Sequence, residues 1–339
     1  MKKILYYITD HGLGHTTRSI AIIRKLITEG IDVTIRNSNV NYLQKSLPHT
    51  KIISGITDVG PSIKKNGISI DNEKTLKNIG EWIDSIHKRS NIEYELISKI
   101  NPDLIISDIS VMPFFAAHKA QIPSIAISNF AWTDVLKGFP KKQIELLEEG
   151  YGFANLAIQL PLGPKMKSFQ NKKQVGLVCR KPTDSRKNIR KKLGIKDSDI
   201  CIFANLDSYF TIKPQIDSNV KIFSTGVQIQ TDNITYIDPW TEGQDLISAS
   251  DLVLSKCGYG ISSECLTNGI PFLYISDNNH LEQKAISYEL NKKGLQNRIL
   301  EHNLNDLVLN SDTISKIKNL KEENQTYVVV NMIKEIILK

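Results

Sequence analysis

A chain of 339 residues exceeds one typical domain and suits two, each large enough to bury its own core. Apolar residues make up 40% and charged residues 23%, the balance of a globular protein, and no apolar run approaches the ~18 residues that span a bilayer, which points away from an integral membrane protein. The formal net charge of +7 favours anionic partners without choosing between polyphosphate, anionic lipid and nucleic acid.

The opening MKKILYYITD imitates a secretion signal, but its apolar run stops at Asp10, so KILYYIT (3–9) reads as a first strand. The turn HGLGH (11–15) follows. It leads into a helix whose Ile20, Ile22, Ile23, Leu26 and Ile27 fall at helical spacing and which Gly30 ends. DVTIR (32–36) is the next strand, and the spacing then predicts one helix over about 73–100, stopped by Asn101 and Pro102. PDLIISD (102–108) is a buried strand ending in a carboxylate, followed by a short helix (114–119) and the strand PSIAISNF (123–130). Between 141 and 182 the pattern loosens around QLPLGP (159–164), and the interdomain connection is expected there. A second series then begins, with strands at 200–206, 220–226, 233–238, 251–256 and 270–276 and helices between most of them.

That alternation predicts an α/β fold with parallel sheets. The expected domains are 1–165 and 166–325, with a terminal helix, 326–339, that packs back on the first. The four cysteines form no CxxC pair, so neither zinc nor disulfides are indicated and a reducing cytoplasm fits. The basic run SRKNIRKKLG (185–194) reads as the solvated face of a helix.

In parallel sheets ligands bind beyond the carboxyl ends of the strands. In HGLGHTTR (11–18), Gly12 and Gly14 permit a tight turn, the N–H groups around Thr16 can hold an anionic oxygen, and His15 can exchange a proton with a reacting group. A plainer reading makes Thr16 or Thr17 a helix cap and His11 scaffolding. In SKCGYGISSE (255–264), Gly258, Tyr259 and Gly260 form a turn that can approach a diphosphate; Ser262 and Ser263 add donors, and the Glu264 carboxylate can accept ribose hydroxyls or merely complement the helix dipole. Asn279 and Gln283, in NNHLEQ (278–283), can hydrogen-bond a sugar. Asp108 can orient His15 or an acceptor, beside Asn129 and Trp132, whose ring could stack on a sugar face. No DxD-like metal site is present, and no cofactor is implied.

Taken together, these segments resemble the GT-B glycosyltransferases, in the group that includes the lipid-linked N-acetylglucosaminyltransferase of peptidoglycan synthesis, UDP-sugar hydrolases and the N-terminal region of L-arabinokinase-like proteins. The resemblance implies two Rossmann-like domains facing across a cleft, an acceptor-side N-terminal domain and a nucleotide-sugar-binding C-terminal one. By position it makes His15 the catalytic histidine, Glu264 the ribose ligand, Gly258 to Gly260 the diphosphate turn and Gln283 a donor-sugar contact. One segment departs from the pattern: where many relatives carry a glycine-rich loop, this chain reads ANLDSY (204–209).

The leading expectation is therefore a metal-independent glycosyltransferase using a uridine-type nucleotide sugar and an unknown acceptor, whether glycan, lipid or small molecule. The alternatives are a hydrolase of the same fold and a non-catalytic sugar-nucleotide sensor. Nucleic-acid binding lacks a reading motif. Residues 52–86 read equally as an acceptor loop or as a docking surface on the inner face of a membrane.

Overall fold

The computed structural model describes residues 1–64, 69–238 and 242–338. Contacts divide the chain into two compact units, one comprising Met1–Ser62, Ile70–Cys179 and Asn324–Lys339, the other Ile63–Ser69 and Arg180–Glu323.

The first unit runs β1 (Lys3–Ile8), α1 (Leu13–Thr28), β2 (Asp32–Arg36), α2 (Val40–Ser46), β3 (Lys51–Ile53), α3 (Asn72–Asp84), α4 (Ile86–Ile100), β4 (Leu104–Asp108), α5 (Met112–Ala120), β5 (Ser124–Ser128), α6 (Trp132–Val135), α7 (Lys141–Gly152), β6 (Leu156–Gln159) and β7 (Lys172–Gln174). Among the described residues its strands form a parallel sheet in the order β3-β2-β1-β4-β5-β6-β7. The central strands β4 and β5 are buried along their whole length, which is why they read as unbroken apolar runs rather than alternating ones. Gly30, at φ 78°, takes the left-handed conformation that ends α1.

One expectation changes here and another narrows. The long helix over 73–100 is two helices: at Ser85 the backbone N–H turns to the Trp82 carbonyl and the side-chain hydroxyl donates to the same group, a local bond that competes with the helical ladder and that no Gly or Pro announces. The stretch 141–182 mostly builds the first sheet through α7, β6 and β7, and the change of unit comes at Arg180. Its pattern looked loose because β6 and β7 are short and lie at the sheet's edge.

The second unit runs α8 (Arg186–Lys192), β8 (Ile200–Asn205), β9 (Thr211–Ile212), β10 (Gln215–Ile216), β11 (Val220–Ser224), β12 (Gln228–Ile229), β13 (Ile234–Tyr236), α9 (Gly243–Ala249), β14 (Leu252–Lys256), α10 (Tyr259–Asn268), β15 (Phe272–Ile275), α11 (Leu281–Lys292), β16 (Val308–Leu309) and α12 (Ser311–Ser315). Its main sheet is parallel, in the order β13-β11-β8-β14-β15. The basic run at 185–194 is only partly a solvated face. Arg186 and Arg190 both reach Asp251, and Arg190 also donates to the carbonyls of Ala249, Lys196 and Asp199.

The last helix, α13 (Thr326–Ile337), belongs to the first unit and packs on α1, burying Val329, Val330, Ile333 and Ile337. Lys334 closes the contact with an ion pair to Glu29 at 2.8 Å. No described helix is long and apolar enough to cross a membrane.

Candidate active site

In the first sheet the strand order reverses between β1 and β4, and at such a switch point the loops part and leave a crevice. His15 comes from the turn after β1 and Asp108 from the last position of β4, so the topology brings together residues far apart in sequence. Gly12, the residue before α1, has φ 75°, a conformation a side chain would strain. Glycine there lets the chain turn sharply and start the helix that carries Gly14, His15 and Thr16.

His15 Nδ1 lies 2.9 Å from Asp108 Oδ1. Arg18, one turn along α1, grips the same carboxylate with Nε on Oδ2 at 2.8 Å and Nη2 on Oδ1 at 2.5 Å. Its Nη1 donates to Asn129 Oδ1 and its Nη2 also to Ser128 Oγ, while Ser19 donates to Asp108 Oδ2. Arg18 Nη2 also lies 2.6 Å from His15 Nδ1, a distance that suits a hydrogen bond in the other tautomer. These contacts allow two tautomers; in the one where Nδ1 carries the proton, it donates to Asp108. Nε2 then points its lone pair away from the network. It is buried and has no hydrogen-bond partner among the described residues. An unsatisfied buried acceptor of this kind costs about 1–3 kcal/mol, which a bound hydroxyl would return.

Burial alone would raise the Asp108 pKa, but the charge of Arg18, with hydrogen bonds from Arg18 and His15, overrides it and holds the carboxyl at about 2. Ile109, immediately after it, has φ 66°, a strained value for a β-branched residue at the turn that carries Asp108 out of the strand.

Asn129 and Trp132 lie beside this network, yet their polar groups serve the scaffold. Asn129 accepts from Arg18 and donates to the Leu162 carbonyl; Trp132 is 4% exposed and its Nε1 donates to Asp58 Oδ2 at 3.1 Å. The Trp132 ring packs at 5.5 Å from both His11 and Phe130, and Phe130 meets His15 edge-on. Asp58 and Arg18 are the members that sequence reasoning missed. Arg18 stood within the quoted HGLGHTTR motif, three residues after His15, so helical spacing was an available signal; Asp58 sits in a loop with no motif around it.

Asp58 is buried, and that burial lifts its pKa to about 6 even though Thr9 and Trp132 donate to it. A value above the ~4 of an unfolded aspartate means that Asp58 opposes folding increasingly as pH rises from about 4 to 6. Asp108 acts in the other sense, stabilising above about 4 and losing that contribution as pH falls towards 2. A carbon-13 NMR titration of the aspartate carboxyls is expected to show Asp58 titrating near pH 6 and Asp108 still ionised at pH 3; an Asp58 midpoint below 4.5 would refute the assignment.

In the second unit Gly258 precedes α10, with Tyr259 and Gly260 in its first turn. A Cβ added at Gly258 would meet nothing within 4 Å, so the turn is open at that point. Ser262 Oγ is buried without a partner among the described residues, whereas Ser263 Oγ donates to the Gly260 carbonyl. Glu264 is 2% exposed and forked by Arg180, with Nε on Oε1 at 2.8 Å and Nη2 on Oε2 at 3.3 Å. Its pKa is raised by burial, against the pull of Arg180. A ribose reaching Glu264 would share that carboxylate with Arg180. Gln283 Oε1 accepts from the Asp277 N–H, and Asn279 is exposed with its N–H bonded to Asp277 Oδ1. His280 accepts from the Gln283 N–H and so caps α11.

Residues 2–170 match the family model described as glycosyl transferase family 1. The chain belongs to that family. Its fold is GT-B: the structure superposes on UGT89C1 of Arabidopsis thaliana, solved with UDP-L-rhamnose, with a TM-score of 0.59 at 15% identity over 99% of this chain and 94% of that one. Against MurG of Acinetobacter baumannii the TM-score is 0.54 at 13% identity, covering 99% and 100%. In sequence it is 28% identical over 298 residues to L-arabinokinase of Arabidopsis thaliana, which is 80% of this chain but only 28% of that protein's length. It is also 23% identical over 334 residues to an uncharacterized glycosyltransferase of Methanosarcina mazei, covering 88% of this chain and 86% of the relative.

In this family 1 glycosyltransferase the glycine-free segment ANLDSY finishes β8 and turns into two short ladders, β9 with β12 and β10 with β16. Phe210 and Ile212 anchor it in the second unit's core. The candidate docking segment 52–86 includes residues 65–68, which lie outside the described residues; within its remainder, α3 turns Ile79, Trp82 and Ile83 into the first unit's interior.

Proposed function

We propose that this chain transfers a sugar from a nucleotide sugar, UDP-linked, to the hydroxyl of an acceptor, with His15 as general base. One observation carries the reading: His15 Nδ1 lies 2.9 Å from an ionised, buried Asp108, and Nε2 is buried without a partner among the described residues, the arrangement in which a proton donated from Nδ1 to Asp108 leaves Nε2 as the acceptor. The acceptor O–H gives its proton to Nε2, its oxygen bonds to the anomeric carbon, and the bond from that carbon to the diphosphate breaks with its electron pair on the departing phosphate. Asp108 stabilises the imidazolium that forms.

On the second unit, the turn at Gly258, the first N–H groups of α10 and Ser262 are assigned to the diphosphate, with Asn279 and Gln283 on the donor sugar. Helix-terminus donors replace a divalent cation in stabilising the leaving group, so EDTA is expected to leave turnover unchanged. The uridine base is supported by UGT89C1, solved with UDP and with UDP-L-rhamnose.

The test is a thermal-shift screen of nucleotide sugars, followed by measurement of diphosphate release from the best binder with and without candidate acceptors. Release that depends on an acceptor supports transfer. Release with water alone makes the chain a hydrolase, and a bound donor never consumed overturns the catalytic reading. Gly258→Ala probes the donor side separately. Because its methyl meets open space, the melting temperature should hold, while UDP affinity falls about tenfold or more through a group intruding on the diphosphate. Unchanged affinity would remove Gly258 from the site.

A further inference from the structure

The second sheet has a switch point of its own. Its order β13-β11-β8-β14-β15 reverses between β8 and β14, with Asn205 and Ser255 paired in register near the carboxyl ends of those strands. The glycine-free segment places Asp207 two residues beyond β8, and β14 ends on Lys256. Lys256 Nζ lies 2.8 Å from Asp207 Oδ2, each side chain about one-third exposed. Lys256 stands two residues before Gly258, the start of α10. On either side of it in sequence, Ser255 Oγ and Ser262 Oγ are buried without partners among the described residues. Lys256 and the N-terminus of the ten-residue helix that follows it offer donors to an anion, with unspent hydroxyls close by in sequence, and a carboxylate already occupies the ammonium.

We infer that Lys256 binds the donor diphosphate and that Asp207 is its resident counter-ion, exchanged for phosphate when the donor arrives. The inference rests on the nucleotide-sugar reading above and adds to it a specific exchange of ion pairs. The magnitudes favour exchange over a fixed bridge. A partly exposed Lys–Asp pair is weak, whereas a diphosphate brings more charge and also takes up the helix donors. Asp207 then opposes both the incoming donor and the retained product, which makes it a determinant of how tightly any nucleoside diphosphate is held.

The test is calorimetric titration of UDP into the full chain as wild type, Asp207→Asn, Lys256→Met and the double variant, with Lys256→Arg as the conservative rescue and circular dichroism to verify folding. Asp207→Asn should tighten UDP about three- to tenfold, since it removes both the competing pair and a repulsion of similar size. Lys256→Met should weaken it about tenfold or more, and Lys256→Arg should restore most of that loss. The gain from Asp207→Asn should be distinctly smaller in the Lys256→Met background, because only the repulsion is then left to relieve. Equal gains in both backgrounds, or no gain in either, overturn the exchange while leaving the donor reading intact. Failure of the wild type to bind any of UDP, GDP, ADP or dTDP brings down the donor reading and the exchange with it.

Discussion

Replacing Arg18 by methionine is expected to lower the unfolding free energy of the first unit by about 3–5 kcal/mol, the usual result of removing one partner from a buried ion pair. The guanidinium is 1% exposed and touches Asp108 twice, Ser128 and Asn129, so it ties α1 to the ends of β4 and β5. Without it the Asp108 carboxylate stays buried with His15 and Ser19 as its remaining partners, and the burial that Arg18 had overridden then raises its pKa. The deficit is therefore largest at neutral pH, begins to shrink as pH falls through the variant's raised Asp108 pKa, and goes on shrinking towards 2, where the wild type also loses its Asp108 contribution. Arg18→Lys keeps the charge but not the fork, and should recover only part of the loss. Urea unfolding of wild type and variants at pH 7 and pH 4 measures both effects. A loss under about 1 kcal/mol at pH 7 would show that the network does not hold these elements together.

The second large effect falls on turnover. His15→Ala should reduce kcat by about 10²–10⁴, the range of general-base catalysis, while changing UDP affinity by no more than about twofold. The separation follows from placement: His15 belongs to the first unit, whereas the residues assigned to the diphosphate lie around α10 in the second. Folding should survive, because the side chain removed makes its polar contacts to Asp108 and Arg18, and those two continue to hold each other. Asp108→Asn tests the same dyad through tautomer control. An amide in place of the carboxylate can donate to Nδ1 and turn the Nε2 lone pair into an N–H, so turnover should fall although the ring stays in place. Steady-state assays alongside calorimetry check both variants. Retention of more than about a tenth of wild-type kcat in His15→Ala would end its role as the base.

Much of the site could be read before the fold was known, because its residues sit in short motifs whose spacing carries meaning. HGLGH followed a strand and opened a helix, SKCGYG did the same in the second series, and both fell where parallel sheets bind ligands. Asp108 was visible as a carboxylate closing an apolar run. Asn129 and Trp132 were placed in the right neighbourhood but given acceptor contacts, whereas burial commits Asn129 to Arg18 and Trp132 to Asp58. Glu264 stands at the end of SKCGYGISSE, but its partner Arg180 lies 84 positions earlier, and no local pattern links them.

The amino-acid sequence by itself determined the class of fold, the order of strands and helices, and the positions of the glycine turns, since these depend on periodicity and backbone conformation within a few residues. Tertiary structure decided which charges meet: Arg18 with Asp108, Trp132 with Asp58, Arg180 with Glu264 and Lys256 with Asp207. Those pairings depend on strand order, which brings the ends of β1, β4 and β5, and separately those of β8 and β14, side by side. HGLGH identifies a histidine at a turn, but only the fold sets the buried carboxylate at the end of β4, held by its arginine, against that histidine's Nδ1.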